Sequence, residues 1–132
     1  AHLSAVREHL AVPGRYVVES GHPAEYLAGS KRVETEWDLD RAGHHVHIRW
    51  GKPDDEMDPV TQVTPYLVTI TIDGEIAAEE IIANRFWTAT ELEAAGRLAG
   101  LTVSARYGDF REDLTLSDDR AWRMFTVFAR GG

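Results

Sequence analysis

The chain has 132 residues, of which 43% are hydrophobic and 27% charged, with a formal net charge of −8 and no cysteine. That length suits one domain rather than two. The acidity opposes nonspecific nucleic-acid binding and docking on anionic lipid, and a chain without cysteine has no disulfide framework and no thiolate chemistry.

No apolar run approaches the roughly 20 residues that a bilayer crossing needs, and no signal-peptide pattern opens the chain. A reducing cytoplasm is the default compartment for such a composition. The sequence begins at Ala1 rather than Met and runs straight into helical spacing. That is expected of a piece excised from a longer protein, or of a domain whose initiator was removed.

His2 to Val12 reads as a short helix with Leu3, Val6, Leu10 and the Arg7 stem on its inner face; Pro13-Gly14 ends it. Arg15 to Ser20 is a strand, and its continuous apolar run Tyr16-Val17-Val18 suits a strand covered on both faces. Gly21 to Ser30, with Pro23 and Gly29, reads as a connection. Arg32 to Asp40 and His44 to Trp50 then form a hairpin turning at Arg41-Ala42-Gly43. Val33, Thr35, Trp37 and Leu39 share one face with Val46, Ile48 and Trp50. The other face sets Glu34, Glu36 and Asp38 against His45, His47 and Arg49, and opposite charges across strands support the pairing. Trp37, Trp50 and Trp122 are expected in the core.

Gly51 to Pro59 is an acidic loop with Asp54, Asp55, Glu56 and Asp58, read as solvated because it lacks calcium-loop spacing. A second hairpin runs from Thr61 to Ile72 and from Glu75 to Phe86, turning at Asp73-Gly74, a pair suited to a type I′ turn. Pro65 should mark an edge or a bulge. Thr88 and Glu91 make a capping box, with Trp87 and Leu92 as its hydrophobic staple. Leu92, Ala95, Gly96 and Ala99 share a helical face with Leu98 beside it, and Gly100 is placed to end the helix in the left-handed conformation. Leu101, Val103 and Ala105 alternate with Thr102, Ser104 and Arg106, which is strand spacing. A loop from Gly108 to Asp119 leads to a last strand at Ala121 to Arg130.

Three stretches carry a family resemblance. Residues 85–110, RFWTATELEAAGRLAGLTVSARYGDF, resemble the last helix and following strand of class I S-adenosylmethionine-dependent methyltransferases. Residues 9–20, HLAVPGRYVVES, resemble the helix end, Pro-Gly turn and fifth strand of that fold, and residues 121–130, AWRMFTVFAR, its final antiparallel strand. Together they cover roughly half the chain, at its two ends. The resemblance implies the C-terminal half of a small-molecule methyltransferase, similar to sugar-amine N-methyltransferases. The fold class it implies is α/β, part of a doubly wound Rossmann-like sheet. Residues 1–30 and 87–132 would form the sheet edge, and residues 31–86 an inserted antiparallel layer.

In that family the cofactor lies on a Gly-rich loop after the first strand. This sequence has 11 Gly but no G-x-G, so no cofactor-binding residue falls within it. S-adenosylmethionine belongs to the parent protein, and the segment alone is expected to be inactive. Ligands of open α/β sheets bind beyond the carboxyl ends of strands. Glu19 and His22, with Gly21 letting the chain turn close, are therefore candidates for the methyl acceptor, and Tyr107 is a third. No catalytic residue is assigned. His45 and His47 share a strand face at ligand spacing, but no third ligand is evident and acidic partners are available, so no metal is expected. A neutral histidine there would also serve as a general base. Arg85 and Trp87 are read as anchors of the helix start.

The competing reading is a self-contained α+β module with a curved antiparallel sheet, binding a small ligand or dimerising. The methyltransferase reading requires residues 15–20 beside 122–130, with those flanking 101–107. The module would instead run one continuous sheet through the four middle strands. A homodimer is expected, through the edge of residues 15–20, the inserted strands, or both.

Overall fold

The computed structural model describes residues 1–27, 35–52 and 55–131. The elements are α1 (His2–His9), β1 (Tyr16–Gly21), α2 (Pro23–Leu27), β2 (Thr35–Arg41), β3 (His44–Trp50), β4 (Val63–Ile72), β5 (Glu75–Arg85), α3 (Ala89–Leu98), β6 (Leu101–Tyr107) and β7 (Arg123–Arg130). They form a three-stranded sheet in the order β1-β7-β6 and a four-stranded sheet in the order β2-β3-β4-β5. The chain divides into two compact units, Ala1–Ser30 with Trp87–Gly132, and Lys31–Phe86.

In the first unit, β7 runs antiparallel to both neighbours, so β1 and β6 are parallel to each other but do not touch. Residues 15–20 do lie beside the last strand, which in turn flanks β6. The expected doubly wound arrangement is absent among the described strands, where every adjacent pair is antiparallel. Leu92, Leu101, Met124 and Phe128 form the buried core, joined by Leu3, Val6 and Leu10 of α1 and by Tyr16, Val18 and Val103. All of these lie on one face of the sheet. Val17, on the other face, is 53% exposed, so β1 is covered on one side rather than two.

The hydroxyl half of the α3 capping box forms, with the Glu91 amide donating to Thr88 Oγ1 at 3.1 Å. Gly100 takes φ +76 and closes the helix. Leu98, beside that face, is exposed. α1 ends at His9 rather than Val12, with Leu10 already extended. α2 replaces an expected loop: Pro23 lacks an amide proton and so is tolerated in a first helical turn.

In β6 the register shifts between Val103 and Ala105. Ser104 is the extra residue, and every later side chain changes face. Ala105 therefore leaves the core face and Arg106 joins it, the reverse of simple alternation. Trp122 is 51% exposed, not buried.

The second unit is a meander whose tight turns have the backbone its residues favour. Ala42 and Gly43 both have positive φ, as do Asp73 and Gly74, matching type I′ geometry. One face carries Trp37, Leu39, Val46, Ile48, Trp50, Val68 and Tyr66, and the other the charged rows. Trp37 is 41% exposed, so it is not a core residue; Trp50 is half-buried against the Tyr66 ring. β3 pairs with β4 only over Val68–Ile72, so Pro65 lies where β4 has β5 as its strand neighbour, an edge as expected. Val33 and Glu34 lie outside the described residues, as does Asp54.

The acidic loop does more than face solvent. Asp55 accepts from the amides of Lys52 and Leu67, and Asp58 from those of Val60 and Thr61. Those amides hold the Asp58 carboxyl below the usual carboxylate range.

Candidate functional site

Because β1 and β6 run the same way, their carboxyl ends open at the same end of the three-stranded sheet, with the start of β7 between them. Glu19 and Tyr107 both pair with Phe125, so the three side chains form one row on the face away from the helices. Two strand spacings put Glu19 and Tyr107 roughly 10 Å apart.

Glu19 is not free to rotate. Its Oε1 accepts from Arg123 Nε at 2.8 Å and Nη2 at 2.6 Å. The Arg123 guanidinium in turn sits 5.3 Å from the Trp122 ring centroid, within cation–π range. Carboxylate, guanidinium and indole thus form a chain along the opening.

His22 sits just beyond β1 and is buried. Its Nδ1 accepts from the Ala24 amide at 3.1 Å, which leaves the proton on Nε2 to donate to the Leu116 carbonyl at 3.0 Å. Both ring nitrogens are spent on backbone groups. The imidazole caps α2 and ties the end of β1 to the loop before β7, so its place is structural support of the opening rather than a surface toward a ligand. Gly21 does allow a close approach, but to the chain itself. A Cβ there would meet the Tyr26 hydroxyl at 2.9 Å and Glu25 Oε2 at 3.3 Å.

Tyr107 borders an open cavity of about 590 Å³ on the helix-free face, with Arg15, Val17, Phe110, Arg111 and Phe125 around it. Phe110 meets Phe125 edge to face at 4.6 Å between centroids. An apolar floor rimmed by arginines, the carboxylates of Asp109 and Glu112 and a phenol suits a compact ligand with an apolar body and polar substituents. A second cavity, about 480 Å³, lies between α1, β1 and α3 and is lined mainly by apolar side chains, including Leu3, Val18, Trp87 and Leu92.

The histidine row of β3 is an ion-pair surface. His45 Nδ1 lies 2.9 Å from Asp40, and His47 Nδ1 2.9 Å from Asp38. The register shifts these pairings from the anticipated ones: Glu36 faces Arg49 and reaches His47 only at 3.9 Å. The hydrogen bond to Asp40 raises the His45 pKa, and the one from His47 lowers that of Asp38. Among the described residues no cluster of three His, Cys, Asp or Glu is arranged to hold a metal ion.

Sequence patterns did not point to Arg123, Trp122, Phe110 or Phe125. Glu19 and Arg123 are 104 residues apart in the chain, and only strand pairing joins them. Trp87 packs against the core near the start of α3, and Arg85 bonds Gln62 at the end of β5.

No protein-family model and no curated protein sequence matches the chain. Solved structures do resemble it. The CcbJ methyltransferase from Streptomyces caelestis aligns with a TM-score of 0.67 and 19% identity, over 98% of this chain and 49% of its own. An S-adenosylmethionine-dependent methyltransferase from Clostridium acetobutylicum ATCC 824 aligns with a TM-score of 0.65 and 13% identity, over 99% and 50%. The chain thus spans about half the length of these structures. It has the fold of one half of an S-adenosylmethionine-dependent methyltransferase, consistent with the C-terminal-half resemblance of its end segments.

Proposed function

We propose that this chain is the substrate-side, C-terminal segment of an S-adenosylmethionine-dependent methyltransferase acting on a small molecule, with the cofactor held by residues outside it. The supporting observation is the shared opening of β1 and β6 around antiparallel β7, with Glu19 and Tyr107 in one row. Open α/β sheets bind their ligands at such carboxyl ends. Glu19, held by Arg123, would accept a hydrogen bond from an acceptor hydroxyl or ammonium. The Tyr107 phenol would orient a polar substituent, and Phe125 would flank the apolar part. His22 would keep the opening in shape.

The described residues do not fit S-adenosylmethionine. The one passage among them from a strand through glycine into a helix is β1–Gly21–α2, and Tyr26 fills the space that a cradle would need. Calorimetry on this chain should therefore give no heat of binding with the cofactor. Micromolar affinity would overturn the assignment of the cofactor site to other residues. In the longer protein, Glu19→Ala and Tyr107→Phe should each lower kcat/KM for the acceptor while cofactor affinity stays unchanged. Unchanged turnover in both would remove them from the site.

A second reading is a small-ligand-binding or dimerising α+β module without catalysis. It is favoured by the single continuous sheet of the four middle strands, β2-β3-β4-β5. Coding sequence upstream of Ala1 separates the two. A strand, Gly-rich loop and helix encoded there supports the transferase, and an open reading frame starting at this segment supports the module.

A further inference from the structure

Among the described residues, three buried side-chain atoms have no hydrogen-bond partner: Ser20 Oγ, Thr126 Oγ1 and Arg106 Nε. Each strand of the three-stranded sheet supplies one of them. Thr126 stands in the middle strand and is completely buried. Arg106 of β6 is its register partner. Ser20 of β1 lies one diagonal away, because Thr126 pairs with Val18 and Ser20 with Met124. All three side chains are on the helix-covered face. Each is also the chain neighbour of a residue in the row Glu19–Phe125–Tyr107, so the three stand directly behind that row. A buried donor or acceptor without a partner costs free energy, and native interiors rarely leave one so.

We infer that these atoms hold an internal water molecule, a hydration site that ties β1, β7 and β6 together behind the opening. The donor set selects water. Arg106 Nε–H can only donate, whereas the hydroxyls of Ser20 and Thr126 can each donate and accept. A water accepts from Nε–H, donates to Thr126 Oγ1 and accepts from the Ser20 hydroxyl. Those are three bonds, the usual number for a buried water. An anion is not called for, because the Arg106 charge is already balanced: Nη2 donates to Glu93 Oε2 at 2.8 Å. A cation would meet the Nε–H proton. The spacing suits a bridge. Facing Cβ atoms on paired strands are roughly 4.5–5.5 Å apart and diagonal ones somewhat further. A water bonded at about 2.8 Å to each of two groups spans about that distance. The site stands on burial and strand register alone and does not depend on the transferase reading.

A high-resolution crystal structure of this chain, grown with bromide as the only halide, tests the site. It should show an ordered water within hydrogen-bond distance of at least two of Ser20 Oγ, Thr126 Oγ1 and Arg106 Nε. No such water, or a bromide anomalous signal at that point, overturns the inference. Thr126→Val keeps the shape of the side chain and removes the hydroxyl. It should lower the urea midpoint of unfolding, because the water loses a partner while Ser20 and Arg106 stay buried. A midpoint equal to or above that of wild type, as deletion of a hydroxyl bonded to nothing would give, also overturns it.

Discussion

Gly96 and Phe128 leave no room for a methyl group between them. A Cβ on Gly96 would strike Cε1 of the Phe128 ring, which is completely buried in the middle strand of its sheet. The missing side chain is what lets α3 lie against β7. Gly96→Ala would gain about 1 kcal/mol of helix propensity but incur an overpacking cost of about 1–3 kcal/mol. We expect a net loss near 1 kcal/mol, and a larger loss for Gly96→Val. Urea denaturation checks this; an unchanged midpoint in both would mean that the ring has space to move.

His22 should matter to stability before it matters to binding. Its replacement by alanine removes the hydrogen bonds that the ring makes with the Ala24 amide and the Leu116 carbonyl. Such losses cost about 1–3 kcal/mol when the groups stay buried. We expect His22→Ala to lower the unfolding free energy by about that much, with faster proteolysis between Gly108 and Trp122. A protein as stable and as resistant as wild type would show that water replaces the imidazole without penalty.

The bulge at Ser104 makes a further expectation concrete. It turns Arg106 toward α3, where Nη2 donates to the Ala89 carbonyl at 2.9 Å and to Glu93 Oε2 at 2.8 Å. The Arg106 hydrogen bond, with Arg97 nearby, holds the Glu93 carboxyl below its usual range. Arg106→Ala should lower the thermal midpoint more than Arg111→Ala, whose ion pair with Asp113 is exposed on both sides. Equal effects of the two substitutions would mean that Arg106 contributes no more than a surface charge.

Stability should fall on both sides of mildly acidic pH. The raised pKa of His45 stabilises the fold fully below the ordinary histidine value of 6.5, and that share is lost as pH rises through the folded value. Asp38, Asp73 and Asp118 are lowered from 3.8, Asp118 to about 2 by its bonds from Arg120. Their shares are present above 3.8 and lost as pH falls through the folded values. Denaturant midpoints should peak at about pH 5–6, between the carboxylate and histidine ranges. Asp40→Asn should flatten the alkaline side only. An alkaline slope that survives the substitution would point to another group.

Local chemistry made much of this fold legible. The Thr88 hydroxyl cap, Asp73-Gly74, Gly100 and the span His44–Trp50 are each set by neighbours in sequence, and each took its expected form. Features that depend on a distant strand were not legible. The face change at Ser104 exists only against β7, the Glu19–Arg123 pair only through β1–β7 pairing, and the exposure of Trp37 and Trp122 only in the folded chain. Pro23 misled in a different way, since a residue read as a helix breaker is equally suited to begin one. Of the candidate site, Glu19 and Tyr107 came together in one row, whereas His22 turned inward to the backbone.

The placement of β7 between β1 and β6 also sets an order of assembly. On the ribosome, residues 35–85 supply strands that pair with their immediate successors, and such local pairing closes early. α1 and β1 are made before the meander yet must wait. Their sheet has no middle until residues 123–130 leave the exit tunnel and insert between strands already synthesised. A segment made before the meander is thus among the last to find its place, and a nascent chain halted before Arg123 would hold a formed meander while α1 and β1 still lacked their sheet.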